Sequence, residues 1–458
     1  MNFRKNSLVL LLTCGLITEL FYLLFVLLNE DGNIPLYMFI YFESFVLFFF
    51  AYFLITNKHF ELETHADGKW VLLIVPNMFL KMLGFNPNEK SKLKIPFLII
   101  ALALVFRFTL IPTSYVTSDD VHRYLWEGKV IANGFNPYTA SPNDSSLAHL
   151  RDENYEKVTF KHITAIYPPL SQVVFTINYF VAGNSTVLLK IIYLIFEFIT
   201  LIFILKLLML NGKDPKLIFL YAWLPLPILE YFNNAHLDGV GISFLIMFLY
   251  YLEKNKITLS AAMLALAFLT KLLALLILPL VIKKLGIKKS LIFYSIFLIT
   301  CLIFYLPFIY GNPDVLGGLF RYLEHWEFNG SVYNIFKLIF ARGDIAKMVC
   351  AILLSLSVLV ISFRYKDFVN GVFAVFLCIL IFSTTLYPWY LGWIAALNVF
   401  NPFYSVLSLF FTINFSNLTP LAHKWKEYPI VWIIEYVLFY GLLFYDLWKR
   451  KALLKDKD

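Results

Sequence analysis

Residues 117–143 read TSDDVHRYLWEGKVIANGFNPYTASPN. Two adjacent carboxylates, Asp119 and Asp120, open the stretch, an amphipathic helical turn follows, and Gly134-Phe-Asn-Pro137-Tyr138 makes a bend. The residues just before it, about Ile95 to Ile111, form an apolar run long enough to cross a bilayer. A plain connection between two spans requires none of these features. The stretch therefore marks a membrane protein with chemistry gathered at the end of a span.

Composition agrees. With 458 residues, 60% of them hydrophobic, 19% aromatic and 15% charged, the chain has too little charge to solvate a globule of its size. Apolar runs recur from residue 8 to residue 448. The expected fold class is all-α, a polytopic membrane protein with about 12 transmembrane helices and some re-entrant or interfacial ones. Residues 1–458 are expected to form a single integral-membrane domain, with 112–166 as its large outer-face loop. The first run, Ser7 to Leu28, follows Arg4 and Lys5, lacks a small-residue cleavage site, and reads as a retained span. Cys14, Cys301, Cys350 and Cys378 all fall inside apolar runs and read as packing residues. The net charge of +8 comes from Lys and Arg in short loops between spans, a pattern that reports orientation and not nucleic-acid binding.

Lysine placement orients the chain. Lys58, Lys69, Lys81, Lys90, Lys92 and Lys94 share one loop, which is assigned to the cytoplasm, so the next span delivers Asp119 and Asp120 to the outer face. The apolar, proline-broken segment 70–83 within that loop is expected to lie on the membrane surface. NGKDPK (211–216) and EKNK (253–256) are cytoplasmic by charge, which puts His236 and Asp238 outside. Parity then requires PPLSQVVFTINYFVAG (168–183), which begins with two prolines, to be interfacial or re-entrant. The run 257–282 has lysines at both ends and is too short to cross twice, so two half-helices bent near Lys271 are expected, with a single crossing as the alternative. TSDDVHRY, GFNPY, IYPPL, NNAHLDG, EHWEFNG and YPWY all fall on the outer side by this reading.

Asp119-Asp120 after an early span, Tyr124-Leu-Trp126-Glu-Gly128, Gly134-x-Asn136-Pro137-Tyr138 and Tyr167-Pro-Pro-Leu170 together resemble the first outer loop of GT-C glycosyltransferases. They are most similar to integral-membrane mannosyltransferases that use polyprenyl-phosphate mannose, including bacterial α-1,6-mannosyltransferases. Two spans precede this unit where many relatives have one, so the chain carries an N-terminal extension relative to them. The resemblance implies transfer of a sugar, mannose by preference, from a polyprenyl-phosphate donor to a glycan or glycolipid acceptor. It implies an outer-face acid as catalytic base and an inverting displacement. It also implies the bacterial cytoplasmic membrane as the location and membrane lipid as a partner.

The chemistry needs a base for the acceptor hydroxyl and positive charge for the departing phosphate. Asp119 and Asp120 are the candidate bases, and the sequence leaves the choice between them open; Thr-Ser-Asp-Asp is also a good helix N-cap. For the phosphate the candidates are Arg123, Lys271 and Arg321, with His236 as a donor to phosphate or sugar. Lys271 stands in mid-run, where a lysine is costly unless it is paired or faces a polar cavity. Trp126, Tyr138, Asp238, His325, Trp326, Trp389 and Tyr390 are the candidate sugar or acceptor contacts. No metal or other cofactor is expected to be required: His236 and Asp238 are a weak ligand pair, and no nucleotide motif occurs. Glu19, Glu43, Arg107, Lys190, Glu197, Lys206, Glu230 and Glu435 also interrupt spans and keep a transporter or flippase as the alternative.

Overall fold

A computed structural model describes residues 7–56, 76–310, 314–421 and 426–455. Helices account for nearly all of its regular structure. In chain order they are α1 (Ser7–Leu28), α2 (Ile34–Thr56), α3 (Lys90–Leu110), α4 (Asp120–Ala132), α5 (Pro169–Ala182), α6 (Thr186–Leu210), α7 (Pro225–Phe232) and α8 (Asp238–Glu253). There follow α9 (Ile257–Thr270), α10 (Leu278–Ile309), α11 (Gly317–His325), α12 (Val332–Phe340), α13 (Gly343–Arg364), α14 (Phe368–Phe382), α15 (Leu391–Asn398), α16 (Tyr404–Thr412) and α17 (Pro429–Lys455). Arg4, Lys5, Lys58, Lys69 and the first part of segment 70–83 lie outside the described residues.

Among the described residues, seven helices are long and apolar enough to cross a membrane. The chain is an all-α polytopic membrane protein. Against the expected twelve or so, the remaining apolar segments form shorter helices, such as α7 to α8 and α14 to α16. The reason is local: Pro225, Pro227, Pro388 and Pro402 interrupt the apolar runs, since proline cannot donate to a helix interior.

Two expectations about bent segments have clear counterparts. α9 ends at Thr270, and Lys271 Nζ there lies 2.8 Å from Asp238 Oδ1 at the start of α8. The chain then turns back, and Lys284 Nζ meets Glu253 Oε1, at the far end of α8, at 2.8 Å. Lys256 and Lys284 thus share one end of the bundle while Lys271 sits at the other end of α8. α10 breaks at Gly286, whose φ of 71° favours glycine, and only its second part returns to the acid-bearing end. α5 stays at that end throughout: Ser171 Oγ donates to the Thr270 carbonyl at 2.9 Å, and Asn184, just past α5, donates to Asp152 at 2.7 Å. Its other face, with Ile177, Phe180 and Val181, is exposed and apolar, as suits a helix lying along a membrane.

The loop 112–166 is a folded cap. Trp126 and Val130 of α4 pack with Leu147, Leu150, Tyr155 and Val158 in a small core of their own. α4 presses so closely on α5 that a Cβ at Gly128 would come within 2.3 Å of the Phe175 carbonyl oxygen. Glycine is therefore required at that crossing.

Candidate active site

The cap and the helix ends beneath it enclose a cavity of about 940 Å³. Asp119, Asp120, Lys271, His325, Trp326, Trp389 and Tyr390 all line it. One flank is apolar, built by Leu272, Leu273, Phe376, Ile379 and Leu380. Residues far apart in sequence meet there because the α7 to α8 junction, the end of α9 and the start of α4 all finish at the same level.

Main-chain clamping brings the acids to the cavity. Asn234 Oδ1 accepts from the backbone N–H groups of Val116 and Thr117, each at 3.0 Å, and its amide donates to Thr117 Oγ1 at 2.7 Å. Asn233 donates to Thr113 Oγ1 at 3.1 Å and to the Ser114 carbonyl, and Lys190 donates to the Thr113 carbonyl at 2.7 Å. These bonds grip the segment that leads into α4. Asp119 is the N-cap residue of α4, yet its side chain makes no capping hydrogen bond. The carboxylate instead meets its own backbone N–H and Thr159.

Asp120 is the better-placed acid. Its Oδ2 accepts from Tyr167 Oη at 3.3 Å and lies 3.9 Å from His236 Nδ1. Its side chain is 35% exposed, but into an enclosed aromatic cavity. Desolvation first, and then repulsion from Asp119, push its pKa from 3.8 up to about 6, against the opposing pull of Lys271, the Tyr167 bond and Arg123. Asp119 is also raised, chiefly by desolvation, with its backbone hydrogen bond and His122 acting the other way.

Lys271 faces the cavity with its ammonium 3.8 Å from the centre of the Tyr390 ring, and the Tyr390 hydroxyl meets that of Tyr322 at 2.7 Å. One of its three donors goes to Asp238, whose Oδ1 also accepts from Trp393 Nε1 at 2.7 Å. Asp238 is thus a buried partner of Lys271 and not a sugar contact. It is not on the cavity wall.

Several other expected roles are corrected. Arg123 borders the cavity, but all five of its donors have acceptors within the protein: Nε to Glu127 at 2.9 Å, Nη1 to the Thr159 and Phe160 carbonyls, and Nη2 to those of Ile163 and Thr164. It ties the cap together and has nothing left for a phosphate. Arg321 is exposed on α11 and does not line the cavity. Trp126 is buried in the cap core against Tyr155, away from any sugar. Tyr138 is buried too; its hydroxyl donates to the Tyr167 carbonyl at 2.6 Å and its ring packs on Phe308. His236 is fully buried behind the wall, stacked on Trp389 with centroids 3.7 Å apart, so it reaches Asp120 and not the cavity contents. Burial, and then Lys271, hold its pKa well below the usual histidine value, so the ring is neutral. Among the described residues no group of three or more His, Cys, Asp or Glu gathers as metal ligands.

Residues that sequence reasoning did not single out complete the walls. Tyr387 stacks between Phe328 at 4.6 Å and Trp389 at 4.4 Å, and this ring series ends on His236. Tyr124 lies within 3.1 Å of Tyr167 and 3.5 Å of His236 Nδ1. Tyr124, Tyr167 and Tyr387 belong to the quoted motifs, so a signal existed; Tyr322 and Trp393 stand just outside such motifs.

Residues 65–285 match the family model described as the alpha-(1->6)-mannopyranosyltransferase N-terminal domain, of the MptA_B family. That stretch, 221 of the 458 residues, is similar to a mannosyltransferase domain. The matched stretch spans the acids, the cap, the α7 to α8 junction and Lys271. The chain is a membrane glycosyltransferase. No individual curated protein gives a significant match.

Proposed function

We propose that this glycosyltransferase moves a mannosyl residue from a polyprenyl-phosphate donor to a hydroxyl of a glycan or glycolipid acceptor. The site would lie on the outer face of a bacterial cytoplasmic membrane. Asp120 is the base in this reading, and the displacement inverts the anomeric centre. One arrangement carries the proposal: a carboxylate tuned to about pH 6 and an ammonium with donors to spare border the same cavity, next to an apolar flank.

The acceptor oxygen attacks C1 as its proton passes to Asp120, and the bond from C1 to the phosphate oxygen breaks with its electron pair leaving on the phosphate. A carboxylate near pH 6 is charged at neutral pH yet basic enough to take that proton. The two unused N–H groups of Lys271 stabilise the charge that develops on the leaving phosphate, in a setting poor in water. Leu272, Leu273, Phe376, Ile379 and Leu380 suit the first isoprene units of the donor. The aromatic side with Trp326, Tyr322 and Tyr387 suits a sugar, and His325 at the mouth suits the acceptor. The proposed reaction draws its energy from the donor bond and uses no metal or organic cofactor. The outer location is supported by the lysines 283, 284, 288 and 289 near the opposite end of α8.

Purified protein supplied with radiolabelled synthetic polyprenyl-phosphate mannose should move label onto membrane glycolipids. Transfer from a nucleotide mannose alone would end the lipid-donor reading. Cysteines placed at Ser141 and Glu324 should react with an impermeant reagent added outside intact cells; reaction only from the cytoplasmic side would end the outer-face assignment.

A further inference from the structure

His236 presents an unusual problem of satisfaction. It is fully buried between two carboxylates, with Asp120 Oδ2 at 3.9 Å from Nδ1 and Glu230 Oε2 at 3.7 Å from Nε2. Nε2 has no hydrogen-bond partner in this arrangement, and a buried ring nitrogen left unpartnered is costly. Glu230 is the acidic group that faces Nε2. Its Oε1 accepts from Tyr37 Oη at 2.7 Å and its Oε2 from Asn234 Nδ2 at 3.2 Å. The same Asn234 holds the main chain of Val116 and Thr117 ahead of the acids. Glu230 and His236 thus stand in line behind the Asp120 carboxylate, the Tyr124 hydroxyl lies 3.5 Å from the same Nδ1, and Asn234 holds the chain just ahead of the acids.

A neutral imidazole has one N–H and one lone pair, and the partner of one nitrogen fixes which nitrogen carries the proton. In its protonated form Glu230 supplies the donor that Nε2 lacks, which puts the imidazole proton on Nδ1, where it faces Asp120 Oδ2 at 3.9 Å and the Tyr124 oxygen at 3.5 Å. We propose that Glu230 and His236 are positioning residues for Asp120: Glu230 sets the tautomer of His236, and the Nδ1–H of His236 orients the Asp120 carboxylate and favours its charged form. This inference rests on the reading of Asp120 as the base. The charged and titratable groups that face Asp120 are Asp119, Lys271, Tyr167, Arg123 and His236; those that face His236 are Asp120, Glu230, Tyr124 and Lys271. Glu230 faces Nε2, the ring nitrogen turned away from Asp120, so its removal tests the chain.

The test compares two pairs of variants in the full-length protein, per molecule of folded, donor-binding enzyme. Glu230→Met removes the donor to Nε2, whereas Glu230→Gln keeps one. His236→Phe keeps the ring on Trp389 and removes Nδ1, whereas His236→Asn can return an N–H near that position. Glu230→Met and His236→Phe should each lose at least about tenfold in kcat, with donor KM within about twofold. The pH midpoint of kcat should move up by about one unit in both, because a nearby N–H dipole that favours the carboxylate is gone. The Gln and Asn variants should recover most of that loss and restore the midpoint. Equal loss in both members of each pair, or an unmoved midpoint in Glu230→Met and His236→Phe, overturns the proposal. Either pair decides it if one member of the other does not fold. Near-normal transfer by Asp120→Asn would instead remove the base on which it rests; a dead Asp120→Asn enzyme beside indifferent Glu230 and His236 variants would overturn the positioning role alone.

Discussion

Arg123 and Lys271 border the same cavity, one from the cap and the other from the α8–α9 hairpin, and their surroundings differ in kind. Arg123 donates to Glu127 and four main-chain carbonyls, whereas Lys271 donates to Asp238 alone among side-chain acceptors. A cation whose donors are all taken holds a fold; one with donors left over can meet a substrate. The count of spare donors, and not nearness to the cavity, separates structural from functional charge here.

The sharpest test of that distinction is removal of the base itself. Asp120→Asn keeps size and removes the basic carboxylate, and turnover should fall by roughly 10² or more with donor binding retained. Steady-state kinetics on the purified variant measure it, and the same experiment on Asp119→Asn, expected to lose less, checks the choice between the acids. Next comes Lys271. Because its loss would strand the Asp238 carboxylate in the protein interior, the clean form is Lys271→Met combined with Asp238→Asn. The donor kcat/KM should fall at least about tenfold; a change smaller than twofold would make Lys271 a wall residue like Arg123.

The pH profile comes third. A pKa raised to about 6 means that Asp120 is protonated, and inactive as a base, below that pH. Turnover should therefore drop about fivefold between pH 6 and pH 5, about tenfold between pH 7 and pH 5, and level off above pH 7; a profile flat down to pH 5 would exclude Asp120 as the titrating base. The smallest effect on transfer is expected from Arg123→Met. Glu127 and the carbonyls of 159, 160, 163 and 164 would lose their donor, which should cost about 3–5 kcal/mol of stability by thermal unfolding. Donor KM of the folded fraction should move by less than about threefold, and a larger shift would return Arg123 to the phosphate site.

The sequence made the membrane architecture legible because apolar length and lysine placement act locally and survive in one dimension. The bend at Lys271 followed from a run with lysines at both ends, and the surface position of α5 from its two prolines and from parity. Asp120 and Lys271 stood out because charge beside or inside an apolar run is rare. The errors share a cause. Arg123, Trp126 and Tyr138 belong to quoted motifs, but whether a polar or aromatic side chain faces a cavity or a core depends on partners such as Glu127, Tyr155 and Phe308, which sequence spacing does not reveal. His236 was placed at the correct end but one layer too far forward, since the stacking of Trp389 in front of it is a contact between segments some 150 residues apart. Glu230 was visible as an acid interrupting a span; its bond to Asn234, one helical turn on, carried the missing information.

The bend that presents Lys271 also bears on how the protein is made. A lysine at the middle of a crossing helix costs about 2.5–3.5 kcal/mol at insertion. Lys271 avoids that position, because α9 ends at Thr270 beside Asp238 and the chain then turns back to Lys284. The ammonium can find its counter-ion only once α8 is in place, so α8 and α9 are expected to enter the bilayer together as a hairpin during synthesis. Truncated chains stalled just after residue 285 should be integrated with Lys256 and Lys284 on one side, and Asp238→Leu should lower the yield of that integrated species while leaving Asp238→Leu/Lys271→Leu chains unaffected. A site residue and a step in biogenesis would then share a single ion pair.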